Sequence, residues 1–246
     1  MNIERIQRSL CVLLDKYNIS VTEFLNLLPG WFFLNKEIGN KDVPLMAWRS
    51  NRKFIELRNI VANNIIENVC MLRFSSISNS RVDLSALLYR EFDLCEFLGN
   101  GRIISLHATF FKNQGGNVII KLDNGVIGSI EVGNQLPLVS KKIERHELIA
   151  RRGVASDLVV DTQIPQQSVY LYTKNEIESY KDIDNELWGF EEDEVELIRS
   201  SFSYYKNTIQ RGFYIQQHEH LSKLVRSAFL SDQTHKKVII GKENNI

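Results

Sequence analysis

The sequence predicts an α+β fold: one large, mostly antiparallel open sheet with helices packed on one face, preceded by a short helical N-terminal segment. Two observations carry this. Apolar residues recur at helical spacing before residue 100, at strand spacing between residues 102 and 172, and at helical spacing again from 195 onward. Asp123-Asn124-Gly125 then punctuates the middle stretch as a hairpin turn.

Taken in order, Ile3, Ile6, Leu10, Leu13 and Leu14 predict a helix over residues 2–16. Ser20 and Glu23 form a capping-box pattern, flanked by Ile19 and Phe24, which predicts a second short helix ended by Pro29-Gly30. Val43–Trp48 reads as a short buried strand. Arg52–Ile66 reads as an amphipathic helix with Phe54, Leu57, Ile60, Val61 and Ile65 on one face. Asn68–Phe74 reads as a strand, Ser75–Ser80 as a polar loop, and Leu84–Leu98 as a helix stopped by Gly99-Asn100-Gly101. Strands follow at Arg102–Phe111, Asn117–Leu122, Val126–Val132, Ile143–Ala150, Leu158–Asp161 and Ser168–Tyr172. The hairpin at 123–125 is expected to use a type I′ turn. Val195, Ile198, Phe202, Tyr205 and Ile209 form one apolar helical stripe, and Glu191–Glu194 suit the positive end of that helix. Leu221, Leu224, Val225, Ala228 and Phe229 make a last helix, and Lys237–Ile240 a closing strand.

Composition bounds the function. The chain has 246 residues, 43% of them hydrophobic, with only 4 Pro and 13 Gly, which excludes a disordered or fibrous chain. The 30 Lys+Arg balance 30 Asp+Glu, so the formal net charge is zero and the chain has no basic excess for nucleic acid. No apolar run reaches the roughly 18 residues that span a bilayer. The start Met1-Asn2-Ile3-Glu4-Arg5 has no signal-peptide character. Cys11, Cys70 and Cys95 are odd in number and widely spaced, which reads as reduced, buried thiols in a cytoplasmic protein.

Several residues invite chemical readings. Gly99 and Gly101 begin a dinucleotide fingerprint, but position 104 is Ile, and the loop follows a helix rather than a strand. His218-Glu219-His220 cannot share one metal on a helix, because neighbours at i and i+2 point to nearly opposite sides; no metal is expected, and the segment reads as a solvated helix start. Arg90 and Asp93, at i and i+3, can form an ion pair worth roughly 0.2–0.5 kcal/mol. His146 alternates with Arg145 and Glu147 along a strand and reads as a hydrogen-bonded surface or core group. Arg151-Arg152-Gly153 reads as a solvated turn.

Five stretches together resemble the Gfo/Idh/MocA oxidoreductases, relatives of glucose–fructose oxidoreductase and inositol dehydrogenase. Met46-Ala47-Trp48-Arg49 through Glu67-Asn68-Val69 resembles the family's strand ending in Arg and the helix after it, with Asn64 and Glu67 where glycines are usual. Leu87–Gly99 resembles its G-x-H-x-x-D helix: Asp93 fits the Asp, Arg90 stands where the catalytic His belongs, and Leu88 where the Gly belongs. Val118–Val132 and Glu147–Asp161 resemble its next hairpin and strand pair, and Glu219–Val238 its closing segment.

The resemblance covers residues 43 to 241 and implies a C-terminal-type α/β domain over 43–246, with residues 1–42 as a helical cap or the remnant of a Rossmann domain. It implies NAD(P) chemistry on sugars or polyols, with Arg49, Arg90 and Asp93 as the substrate-binding candidates. The nucleotide fingerprint and the Glu-Lys-Pro motif that supplies the catalytic Lys are missing. Arginine cannot act as a general base at neutral pH. The expectation is therefore a degenerate site with no confident catalytic residue and no cofactor in this chain alone. It is a sugar-binding and oligomerisation domain that self-associates through its open sheet, or pairs with a subunit bringing NAD(P). The other reading is a purely structural or regulatory dimer.

Overall fold

A computed structural model describes residues 2–157, 169–172, 177–180, 187, 189–207 and 210–241. Helix α1 (Ile3–Lys16) opens the chain, capped by Asn2, whose side chain accepts the Arg5 N–H. The second predicted helix does not form. Asn26–Pro29 is instead strand β1, paired in parallel with β2 (Asp42–Leu45). The backbone N–H of Leu25 goes to the Tyr205 hydroxyl and that of Asn26 to the Lys41 carbonyl, so the groups a helix would use are satisfied by distant partners. This ladder joins the two sides of the boundary expected at residues 42/43, and Ile6 of α1 belongs to the same core as the sheet.

A short 3₁₀ turn at Ala47–Ser50 leads into α2 (Arg52–Ala62), which ends four residues earlier than its apolar pattern suggests. Strand β3 (Val69–Asn79) continues through the stretch expected to be a polar loop. Then come α3 (Leu84–Gly99), β4 (Ile103–Phe111), β5 (Gly115–Leu122), β6 (Ile127–Leu136), β7 (Ile143–Ala150) and β8 (Gly153–Ser156). Strands β9 (Val169–Tyr172) and β10 (Ile177–Tyr180), helices α4 (Glu192–Lys206) and α5 (Arg211–Thr234), and strand β11 (Val238–Ile239) complete the described chain. The predicted strand Leu158–Asp161, Ser168 and Ile209 lie outside the described residues.

The main sheet has the order β10-β9-β8-β7-β3-β6-β5-β4-β11, antiparallel except for β3 beside β6. Between β5 and β6, Gly125 has φ +92° and its N–H bonds the Leu122 carbonyl, while Asn124 keeps a negative φ. The connection is thus a three-residue loop with one left-handed glycine, not the type I′ turn expected. At the far edge, α5 covers unpaired strand groups: Ser231 accepts the Ala108 N–H and Asp232 the Phe110 N–H.

Side-chain alternation separates two faces. Leu72, Phe74, Ser76 and Ser78 of β3 point to the helices, as do Val118, Ile120, Ile130, Val132, His146 and Leu148 of its neighbours. The registers align the opposite face into four rows. Two are apolar-rich, Ile149–Met71–Ile127 and Ile143–Ile77–Gly133–Gly115–Phe111; the two between them carry Glu147–Arg73–Ser129–Ile119 and Arg145–Ser75–Glu131–Asn117.

Helix α3 lies at the centre of the helical layer and is buried along almost its whole length, four charged residues included. Its end packs tightly: a Cβ on Gly99 would lie 2.5 Å from Leu122 and 3.0 Å from Leu72. Of the thiols expected to be buried, only Cys95 is; Cys11 and Cys70 are exposed.

Candidate functional site

Buried charge is costly unless paired, so the four charged residues of α3 dictate what surrounds them. They divide into two clusters. The first is built on Asp93 and Glu96. Asp93, fully buried, accepts hydrogen bonds from Trp48 Nε1 (2.7 Å), Arg49 Nε (2.8 Å), the Arg49 terminal nitrogen (2.5 Å) and Gln217 Nε2 (3.2 Å). Burial opposes the charge on Arg49, but Asp93 outweighs it and raises the guanidinium's proton affinity. Glu96 accepts from His220 Nε2 (2.7 Å), Arg102 (2.8 Å) and the Ile103 N–H (2.8 Å). His218-Glu219-His220 therefore sits in the middle of α5, not at a solvated helix start. His218 is buried, 3.0 Å from the Tyr89 hydroxyl.

The second cluster is built on Arg90 and Glu91. Arg90 does not pair with Asp93. It reaches Glu91 Oε1 (3.1 Å), Glu144 at close range and Glu196 Oε1 (3.8 Å). The pairing expected at i, i+3 loses to partners on β7 and α4, which a buried guanidinium needs more than a surface ion pair. Lys53 stands behind, 2.8 Å from Glu144, 3.4 Å from Glu192 and 3.8 Å from Asp157. His146, fully buried between the rings of Phe54 and Phe74, bridges Asp157 Oδ2 at Nδ1 (2.6 Å) and Glu91 Oε2 at Nε2 (3.0 Å). Carboxylates only accept, so both ring nitrogens donate and the ring is an imidazolium. Burial pulls its pKa down, but Asp157 and Glu91 outweigh it and push it up to about 9.

Arg90, Glu144 and Glu196 form one wall of a cleft of about 570 Å³. Trp31, Ala47 and Trp48, Ser78 and Asn79 at the end of β3, Lys141, Lys142 and residues 191–193 also line it. Of the three sequence candidates, Arg90 lines this cleft. Arg49 and Asp93 do not; they brace each other beneath Trp48. Glu144, Glu196, Ser78 and Trp31 were not foreseen. Glu144 shares the inward face of β7 with His146, two positions away, and two inward charged residues on one strand are the signal that could have found it.

The Gly99–Gly101 loop does not fit a nucleotide phosphate. The N–H groups of Asn100 and Gly101 both bond the Glu96 carbonyl, and Gly101 is crowded by Asp123 and Asn124. Among the described residues, no group of three or more His, Cys, Asp and Glu could hold a metal ion, and no helix is long and apolar enough to cross a membrane.

No family model matches the sequence, and no curated protein matches it. Solved structures do match its fold. A myo-inositol dehydrogenase from Corynebacterium glutamicum superposes with a TM-score of 0.58 at 16% identity, covering 82% of this chain and 65% of that one. An oxidoreductase from Agrobacterium radiobacter, solved with NAD+, L-tartaric acid and magnesium, gives 0.63 at 12%, covering 81% and 65%. An oxidoreductase from Sinorhizobium meliloti gives 0.63 at 10%, covering 80% and 64%. The chain thus spans less than two thirds of the length of these structures. Its fold is that of part of the Gfo/Idh/MocA-type oxidoreductases.

Proposed function

We propose that the chain is a substrate-binding and oligomerisation domain, equivalent to the C-terminal part of NAD(P)-dependent sugar or polyol oxidoreductases, and that it does not transfer hydride alone. The observation that carries this is Arg90 at the cleft wall, where the resemblance places a catalytic His. Glu91, Glu144 and Glu196 hold its charge, so it cannot take a proton from a substrate hydroxyl at neutral pH. The cleft binds a sugar-like ligand, with Arg90 fixing the Glu144 and Glu196 carboxylates as hydroxyl acceptors. Arg49 and Asp93 act at a distance, by bracing the α3–Trp48 wall. Residues 1–246 do not hold NAD(P) by themselves in this reading, because the glycine loop that begins a fingerprint is filled by its own turn. Incubating the purified chain with myo-inositol or glucose and NAD+ or NADP+ should give no reduced nicotinamide; steady turnover would overturn the reading.

A second reading, a purely structural dimer, is favoured by the outer face of the sheet, where Ile127 and Ile143 in the two apolar-rich rows, and Ile119 in the row of Arg73 and Glu147, are each about half exposed. Self-association without any sugar binding would select it.

A further inference from the structure

The cleft's lining specifies more than a polyol. Resting on the reading of this cleft as the ligand site, we propose that its ligand carries a protonated amine, as an amino sugar does, and that sugar acids are excluded.

Three features argue for it. The first is the hydroxyl of Ser78. This residue lines the cleft, is only 5% exposed and has no hydrogen-bond partner among the described residues. Buried polar groups are ordinarily satisfied, so an open one facing a cavity marks where a ligand's polar group sits. The second is the supply of acceptors. Five carboxylates line the cleft against three cations, and an excess of negative charge persists when Lys53 is counted. Two of the three cations are engaged by the protein's own carboxylates: Arg90 serves Glu91, Glu144 and Glu196, and Lys142 serves Glu144. Burial, with Glu192 and Glu144 adding to it, holds Glu196 above the usual carboxylate range although Arg90 and Asn51 oppose this. A cationic ligand would relieve that excess. The third is the half-buried Trp31 in the cleft lining, whose ring favours an ammonium group over a carboxylate.

The test is calorimetric titration of the full chain at pH 6.5 and low salt with glucosamine, glucose and gluconate, repeated on Ser78→Ala and Glu196→Gln. Glucosamine should bind at least about tenfold more tightly than glucose, gluconate should not bind, and both substitutions should weaken glucosamine. Ser78→Ala removes no bond within the protein, so its urea midpoint should not fall. Glucose binding as tightly as glucosamine, both weakened by Ser78→Ala, would overturn the amine while leaving the cleft as the site. Tightest binding of gluconate would do the same. Glucosamine binding indifferent to both substitutions, or no binding of any of the three sugars, would overturn both the amine and the cleft.

Discussion

Stability should fall as pH rises from 6.5 to 9, and His146 is the cause. In the fold its imidazolium lies between Glu91 and Asp157 and its pKa is about 9; in an unfolded chain it returns to 6.5. A raised folded pKa means that the native state binds more protons than the unfolded state across this interval. The contribution is complete below pH 6.5 and lost as pH climbs to about 9. Each tenfold gain in proton affinity is worth about 1.36 kcal/mol, so the loss is about 3 kcal/mol, a large share of the roughly 5–15 kcal/mol that holds a domain folded. Other groups act elsewhere. Burial lowers His218, whose effect has the opposite sign and falls below pH 6.5. Burial raises Cys95 and Tyr89, whose losses begin above their ordinary values of 9.0 and 10.0. Urea unfolding at several pH values would measure the slope, and NMR of the imidazole nitrogens would show both protonated at pH 7. His146→Gln should abolish the slope and cost about 3–5 kcal/mol at neutral pH by taking the imidazolium from between two buried carboxylates, which then keep only Arg90 and Lys53. A wild-type stability that is flat or rises over the interval would rule out this role for His146, whether or not the variant folds.

Three further outcomes are expected. Asp93→Asn strands the Arg49 charge and should lower stability by about 3–5 kcal/mol in urea unfolding; a loss below about 1 kcal/mol would show that the pair is not the brace described. Gly99→Ala forces Leu122 and Leu72 apart and should cost about 1–3 kcal/mol in the same assay, with an unchanged midpoint counting against the packing. Ile119→Asp, at the middle of the outer face, should shift the molar mass measured by light scattering from dimer to monomer; a wild-type monomer would remove the oligomerisation half of the proposal.

Much of the fold was legible because the signals were local. The helical stripe of α4, the break at Gly99-Asn100-Gly101 and the alternation in β4–β7 each lie within one segment. The failures came where distant partners decided. The Ser20–Glu23 capping pattern gave no helix because β1 found β2 sixteen residues later and the Leu25 N–H found Tyr205. Ser75–Asn79 read as a loop because it is polar, yet it is an interior strand between β6 and β7, and part of that polarity, Ser78, lines the cleft. The site showed the same division. Arg90 was visible from its place in the helix motif, but its pairing with Asp93 was expected only from sequence proximity. Glu144 and Glu196, on strand and helix brought in from 54 and 106 residues away, displaced it.

A sugar site without a cofactor site is best tested by backbone-amide NMR of the labelled chain, titrated with a polyol, myo-inositol, and separately with NADPH. Polyol shifts should cluster at residues 78–79, 86–90 and 141–144, with none from NADPH. NADPH shifts at micromolar concentration would contradict the absence of a cofactor site, and polyol shifts away from the cleft would contradict the sugar site.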